Sequence, residues 1–424
     1  MLSTHFIREH QAVVVAGLQK KHFPDAETIV AKIIEVDELR RQTQKQRDDK
    51  QAEANALAKQ IGLLMKQGEK AQAQQAKVDA KALSDEAKHL QEKVANIEKD
   101  LFQLIITLPN LPHETVPVGS DATDNELIEE VGTLPSLSAE ALPHWELITK
   151  YDIIDFETGS KVTGTGFPIY KGKGAKLQRA LINFFLDEAA RAQYTEVQPP
   201  ILINKDSGFG TGQLPDKDGQ MYVVTEENFF LIPTAEVPIT NMYRDAIIET
   251  SELPIKCVGY TPCFRREAGN WGADVRGLNR LHQFDKVEIV QIQHPDKSYD
   301  TLEEMRQHVQ QLLEKLALPY RVLKLCGGDL SFTSALTYDL EVYSAAQQRW
   351  LEVSSVSNFE SYQANRLKLR YRDEKKKTHL LHTLNGSALA LPRILAALLE
   401  NNQTPNGIEI PEVLHAYTGF TRID

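Results

Sequence analysis

Between Thr261 and Val290 the chain brings together residue types that could hold a flat, anionic ligand. Phe264-Arg265-Arg266-Glu267 precedes a polar loop containing glycines, and Phe284-Asp285-Lys286-Val287-Glu288-Ile289-Val290 follows it. The composition on both sides of the loop predicts strand, loop, strand. Strand side chains alternate between two faces, so Phe284, Lys286 and Glu288 share one face while Val287 and Ile289 share the other. Arg265 and Glu267 likewise fall together. One face can pack against a core, and the other presents an arginine, an aromatic ring and a carboxylate. Alone on a surface, the same hairpin would merely solvate its charges.

Three further pieces carry chemistry at strand ends. Phe229-Phe230-Leu231-Ile232 stops at Pro233, and Thr234-Ala235-Glu236 then offers a hydroxyl and a carboxylate to a small amino compound. Trp350 to Ser355 includes Glu352, Ser354 and Ser355, oxygen donors of the kind that suit Mg²⁺ held partly by ligand phosphates. Leu380 to Leu384 reads as a strand, Asn385-Gly386-Ser387 as a turn, and Pro392-Arg393 as the first turn of an apolar helix, where proline is tolerated. Arginines at two sites, an Mg²⁺-type pair and a ring suggest a nucleoside triphosphate pocket. Other chemistries find less support. There is no GxxxxGK[ST], and Gly208-Phe209-Gly210-Thr211-Gly212 reads as a loop. His379 and His382 lack a third ligand at useful spacing, and Gly327-Gly328-Asp329 reads as a turn.

The elements that must position these residues divide the chain in two. Residues 27–108 are rich in Ala, Gln, Lys and Glu, with no proline between Pro24 and Pro109. Ile29, Ile33, Val36, Ala54, Leu57, Ile61 and Leu64 follow one alternating 4-3 frame, with Arg40, Thr43, Arg47 and Lys50 in its middle. A second frame runs through Leu83, Ala87, Leu90, Val94, Ile97, Leu101, Leu104 and Leu108. Both are coiled-coil seams, and a turn at Gln67-Gly68-Glu69-Lys70 makes the helices antiparallel. The span from Ile29 to Leu64 corresponds to an arm of about 54 Å. From Glu38 to Lys99 there are 13 Lys/Arg against 10 Asp/Glu, the reverse of the whole chain's net charge of -11. Such a hairpin suits a spacer, a dimerisation element or a grip on a phosphate backbone.

Leu108-Pro109-Asn110-Leu111-Pro112-His113 ends the second helix, and residues 109–145 read as a linker with short extended pieces. Beyond it, an amphipathic helix over Lys176–Ala192 leads to a proline-bearing edge strand, Tyr194–Leu202. Strands at 221–224, 229–232, 258–264, 283–292, 320–325, 336–343 and 349–355, with few crossover helices, predict an α+β domain on a mostly antiparallel sheet flanked by helices. Helices follow at Leu302–Leu316 and Leu391–Asn401. Cys257, Cys263 and Cys326 form no CxxC pair, which suggests a reducing, cytoplasmic setting and neither disulfides nor zinc. No signal peptide and no membrane span is read, and the acidic total argues against indiscriminate nucleic-acid binding.

Taken together, these segments resemble a known family. Phe264-Arg265-x-Glu267 with its flanking strands, and Gly386-Ser387-x-Leu389-Ala390-x-x-Arg393, resemble motifs 2 and 3 of the class II aminoacyl-tRNA synthetases. Tyr194–Leu202 is similar to motif 1, which in that class lies at a dimer interface. Thr234-Ala235-Glu236, His282–Glu288, Thr383–Ser387, the helical hairpin and Leu108–His113 are similar to the bacterial-type seryl-tRNA synthetases. The resemblance implies a tRNA-binding arm over residues 1–108 and a catalytic domain over 109–424. It implies that Arg265 holds the ATP α-phosphate and the serine carboxylate, that Glu267 contacts the adenine side with Arg266 adjoining, that Phe284 stacks on adenine and that Arg393 reaches the γ-phosphate. Glu352-Val353-Ser354-Ser355 would contact ATP, with Glu352 and Ser355 on Mg²⁺. Thr234, Ala235, Glu236, Glu288 and Ser387, with Arg265, would bind L-serine, and the loop from Gly269 to Arg280 would meet the tRNA end. A cytoplasmic homodimer charging tRNA(Ser), and tRNA(Sec) where present, is what the resemblance implies. A carrier-protein ligase or a non-catalytic coiled-coil paralogue are the alternatives. Gln193 before Tyr194, the absence of an arginine before Phe167, and Arg266 depart from the family pattern.

Overall fold

A computed structural model describes residues 1–216, 219–267 and 276–424. The chain forms two compact units, Met1–Pro109 and Asn110–Asp424.

In the first unit, helices Ala26–Lys66 and Lys70–Ile105 form an antiparallel hairpin. Gly68, at φ +81°, sits in its turn, where a side chain would be strained. Ile33, Thr43 and Ala54 are buried along one helix, and Ala73, Ala87, Val94 and Leu101 along the other. The expected seams are therefore the faces in contact. The polar middle finds partners across the hairpin: Arg47 donates to Gln91, and Lys50 lies 3.5 Å from Glu86. Short helices Thr4–Glu9 and Gln11–Lys20 bury Ile7, Val14 and Leu18. Arg8, Arg40 and Arg41 surround the buried carboxylate of Asp37.

The second unit is built on an eight-stranded sheet. Its strands are β1 (Glu126–Val131), β2 (Thr195–Glu196), β3 (Ile255–Phe264), β4 (Gln283–Gln293), β5 (Tyr320–Lys324), β6 (Leu336–Ser344), β7 (Arg349–Asn358) and β8 (His382–Ala390). Their spatial order is β1-β5-β6-β7-β8-β4-β3-β2, antiparallel except where β2 joins β3. Val287 and Ile289 on β4 face a core formed with helices Gly172–Arg191, Ser298–Lys315 and Leu391–Asn401. The opposite face of β4 meets smaller helices, Glu236–Asn241 and Ser361–Leu367. That face holds Phe284, Lys286 and Glu288.

Four local readings change. Asn385-Gly386-Ser387 is not a turn but the middle of β8, paired with both β4 and β7. A Cβ on Gly386 would lie 3.2 Å from Val356 Cγ2, so glycine here serves strand packing. Gly208–Thr211 is not loop but the end of a helix, Lys205–Thr211, capped by Asn204 and closed by Gly212 at φ +92°. A Cβ on Gly210 would lie 2.5 Å from Leu367 Cδ2, and that close approach explains the glycine. The 109–145 stretch supplies β1, an edge strand paired with β5. The predicted strand Tyr194–Leu202 is interrupted, leaving Thr195–Glu196 in the main sheet and Leu202–Ile203 in a small separate one, because the prolines between cannot donate to a ladder.

The two glycine environments predict opposite stability changes. A Cβ added to Gly62, near the C-terminal end of the Ala26–Lys66 helix, would meet nothing within 4 Å, so Gly62→Ala should stabilise its helix by up to ~1 kcal/mol. Gly210→Ala should destabilise by roughly 1–3 kcal/mol through overpacking against Leu367. Urea denaturation of the two variants tests the contrast, and a loss in both would refute it.

Candidate active site

The site is assembled on the polar face of β4. Register places Glu288 opposite Gly259 on β3 and Ser387 on β8, with Lys286 opposite Thr261. Gly259 lets the Glu236–Asn241 helix press against the sheet, since a Cβ there would meet Ile239 Cδ1 at 2.9 Å. That approach brings Glu236 onto the face occupied by Glu288. Both carboxylates are buried.

Two acids removed from water need donors. The Asn385 amide donates to Glu236 Oε2 at 2.8 Å and to Glu288 Oε1 at 2.9 Å. Gln363 Nε2 donates to Glu236 Oε1 at 2.7 Å, and its own oxygen accepts from Thr383. Lys286 Nζ lies 2.7 Å from Glu288 and donates to Thr234 Oγ1 at 2.9 Å. The Ser387 hydroxyl donates to Glu288 Oε2 at 3.3 Å. Burial, and then repulsion from Glu288, push the Glu236 carboxyl up to about 7, against the pull of Gln363, Lys286 and Arg265.

Arg265 follows directly on β3. Its Nε donates to the Pro233 carbonyl at 3.3 Å, and its guanidinium lies 5.2 Å from the centroid of the Phe284 ring. On the other side, Arg393 in the first turn of the Leu391–Asn401 helix donates to the carbonyls of Glu352, at 2.7 Å, and Asn279, at 3.2 Å.

Two bulges aim these groups. Leu340 pairs with Ser354 and Glu341 with Glu352, so Val353 is an extra residue in β7. Residues three apart would otherwise face opposite ways, but the extra residue puts Glu352 and Ser355 together, and Ser355 Oγ donates to Glu352 Oε1 at 3.3 Å. Asp339 stands opposite Ser355, its carboxyl held well above the usual range by burial and by the charge of Glu352. The second bulge lies between the pairs Lys286–Ala390 and Glu288–Ser387, where buried Leu389 adopts φ +85°.

The structure thus brings Thr234, Ala235, Glu236, Glu288 and Ser387 into one cluster beside Arg265 and Phe284, with Glu352, Ser355 and Arg393 in a second. Val353 and Ser354 turn inward: both are buried, and Ser354 Oγ donates to the Ser387 carbonyl, which leaves only their backbone for a ligand. Arg266 is exposed and lies beside Gly219, apart from the cluster. Glu267, at φ +49°, is ion-paired with Arg280. Of the loop expected to meet tRNA, Gly269 to Arg280, residues 269–275 lie outside the described residues. Lys286, Asn385, Gln363 and Asp339 were not among the expected site residues. Strand alternation had put Lys286 on the right face; Asn385 was hidden by the turn reading, and Gln363 and Asp339 had no local signal.

Two family models match the chain. Residues 222–402 match the tRNA synthetase class II core domain (G, H, P, S and T). Residues 1–112 match the seryl-tRNA synthetase N-terminal domain. The chain is 50% identical to the serine–tRNA ligase of Salinibacter ruber, covering 100% of this chain and 99% of that protein. It is also similar to the seryl-tRNA synthetase of Pyrococcus horikoshii, solved in complex with ATP, at 32% identity and TM-score 0.94 over 100% of this chain and 99% of that one. A third relative, the cytoplasmic enzyme of Naegleria fowleri solved with AMP, gives 28% identity and TM-score 0.88 over 100% and 99%. The fold is that of a class II aminoacyl-tRNA synthetase core. This chain belongs to the seryl-tRNA synthetase family.

Charge balance around Lys286 gives a test. Lys286→Met leaves two buried carboxylates with one fewer cation, which should cost roughly 3–5 kcal/mol at pH 8. The loss should shrink at pH 6, below the Glu236 value of about 7, because a protonated Glu236 no longer repels Glu288. Urea denaturation at both pH values measures this; equal losses would contradict the account.

Proposed function

We propose that the chain activates L-serine with ATP to form seryl-adenylate and then transfers the seryl group to tRNA(Ser), with tRNA(Sec) a second acceptor where it is present. The observation that carries this reading is the Asn385 amide bridging Glu236 and Glu288, beside the Thr234 hydroxyl and next to Arg265 on Phe284. A small pocket rich in carboxylate suits an ammonium and a hydroxyl, while the adjoining arginine suits a carboxylate and a phosphate.

In this reading Glu236 takes the serine ammonium, with Thr234 and the Ala235 backbone beside it, and Glu288 and Ser387 take the hydroxyl. Arg265 draws the serine carboxylate and the ATP α-phosphate together. Phe284 stacks on adenine, Glu267 lies on the adenine side with Arg266 at its rim, and Arg393 neutralises the γ-phosphate. The run Glu352-Val353-Ser354-Ser355 lines the phosphates, Val353 and Ser354 through their backbone. Glu352 and Ser355, placed together by the bulge, fit a hard cation, and would hold Mg²⁺. Bound there with ATP, Mg²⁺ would supply charge neutralisation on the phosphates. The serine carboxylate attacks the α-phosphorus in line and pyrophosphate leaves; a 3′-terminal hydroxyl of tRNA then attacks the acyl carbon and AMP leaves. Little acid–base help is required, so positioning and fixed charge supply most of the acceleration. Alanine is disfavoured because it cannot make the hydrogen bonds that Glu288 and Ser387 offer to the serine hydroxyl.

The helical unit, residues 1–108, grips tRNA in this reading, and 109–424 is the catalytic domain, working as a cytoplasmic homodimer. Among the described residues, no helix is long and apolar enough to cross a membrane. Serine-dependent exchange of pyrophosphate into ATP, and charging of total tRNA, test the proposal together. Deleting residues 40–93 should preserve exchange and abolish charging. Exchange without charging by the intact chain would favour a carrier-protein ligase, and absence of ATP binding a non-catalytic paralogue.

Acidity adds a second check. With the Glu236 carboxyl at about 7, acidification converts the ammonium-binding carboxylate to a neutral acid. The KM for serine should therefore rise as pH falls from 8 to 6, and Glu236→Gln should raise it at pH 8 and flatten its dependence on pH. A wild-type KM that does not change with pH would sink this role.

A further inference from the structure

Arg393 is held partly by the carbonyl of Asn279, so whatever fixes that segment also aims the arginine. The neighbouring residue, Leu278, donates its N–H to His144 Nε2 at 2.9 Å. His144 is fully buried at the start of the His144–Lys150 helix. Its other ring nitrogen, Nδ1, lies 2.7 Å from Glu400 Oε1, and its backbone N–H donates to the same oxygen at 2.9 Å. The tautomer protonated on Nδ1 satisfies both contacts at once, donating to Glu400 and accepting from Leu278.

Glu400 lies in the last turn of the helix whose first turn carries Arg393. The ring of bonds closes through Gln347, which donates to Glu400 Oε1 at 3.0 Å and accepts from Asn279 Nδ2 at 2.9 Å. Ser344 donates to the other Glu400 oxygen. Gly277 completes the fit: it has φ +67°, and a Cβ there would lie 2.3 Å from His144 Nε2. The segment can reach the imidazole only with glycine at this position.

We propose that His144 is a positioning residue for Arg393: by accepting from Leu278 while anchored on Glu400, it sets the Asn279 carbonyl that orients the guanidinium towards ATP. The inference rests on the reading of Arg393 as a phosphate contact. A buried histidine that only filled space and satisfied Glu400 would depend on Nδ1 alone, whereas this role depends on Nε2.

Two substitutions separate the contacts. In His144→Asn the amide takes the place of Nδ1–H and keeps Glu400, but nothing accepts from Leu278. In His144→Gln the side-chain oxygen reaches the Nε2 position and accepts from Leu278, while Glu400 loses its partner. In pyrophosphate exchange, His144→Asn should raise the KM for ATP about tenfold or more, as misplacement of a positioning group does, with the KM for serine unchanged. His144→Gln should fall close to wild type in the KM for ATP although it melts lower. Gly277→Ala, which pushes the segment off the imidazole, should behave like His144→Asn and provides the readout if that variant does not fold. If both histidine variants lose melting temperature and kcat with the KM for ATP unchanged, His144 is structural only. Arg393→Lys separates the two layers. If it leaves the KM for ATP unchanged, the reading of Arg393 falls, and this inference with it. If it raises that KM while His144→Asn and Gly277→Ala do not, this inference alone falls.

Discussion

Two carboxylates, Glu236 and Glu288, share one amide donor inside the protein, and the second unit is arranged so that this is tolerable. Neither acid has enough water to screen the other, and burial raises the proton affinity of Glu236. Stability therefore comes from fixed donors: Asn385 between them, Gln363 behind Glu236, and Lys286 against Glu288. Each donor sits on a different element, so the site exists only once β4, β8 and the Ser361–Leu367 helix have packed. The arrangement remains short of positive charge at Glu236. A ligand ammonium makes up that deficit, which is why a strained centre can also be a selective one.

The sheet has to present this centre without losing its core. On β4, Val287 and Ile289 pack into a core covered by three helices, while Lys286 and Glu288 on the other face are also buried, under two smaller ones. Close backbone approach makes the second cover possible. Gly259 admits the Glu236–Asn241 helix, and Gly386 lets β8 lie between β4 and β7. Where regular alternation would misdirect a side chain, a bulge corrects it. One extra residue in β7 aligns Glu352 with Ser355, and one in β8, at the strained Leu389, precedes the turn into the Arg393 helix.

Much of this was legible from residue types and spacing. The alternation in Phe284–Ile289 gave the two faces of β4, and the 4-3 frames gave the seam of the hairpin, polar middle included. What escaped had a common cause. Asn385-Gly386-Ser387 has the composition of a turn, yet its glycine answers to Val356 on a neighbouring strand, a contact visible only in three dimensions. Gly208 and Gly210 likewise answer to Leu214 and Leu367 rather than to a loop. Gln363 and Asp339 reach the site through pairings across long sequence separations, and neither belongs to a local motif. A bulge adds one residue to a ladder without any required residue type, so the meeting of Glu352 with Ser355 could be expected from resemblance but not from period.

The partners of the arginines argue which of them serve a ligand. Arg306 is neutralised by Glu129 and Glu303, Arg321 by Glu341, and Arg40 by Asp37. Arg265 and Arg393 are held instead mainly by main-chain carbonyls, of Pro233 in one case and of Asn279 and Glu352 in the other. A carbonyl fixes the geometry of a guanidinium but does not cancel its charge, so the charge stays available to an anion. Arg366 shows that carbonyl acceptors alone are not sufficient, for it too donates to the carbonyls of Phe209 and Leu214. It is enclosed by the rings of Phe209, Tyr362 and Phe332 and only 6% exposed, so its charge is spent inside the protein. Arg265 and Arg393 combine carbonyl support with access to solvent. The Glu352 carboxylate, 3.6 Å from Arg393, is near enough to moderate that charge, and it is the same group that a hard cation would draw away.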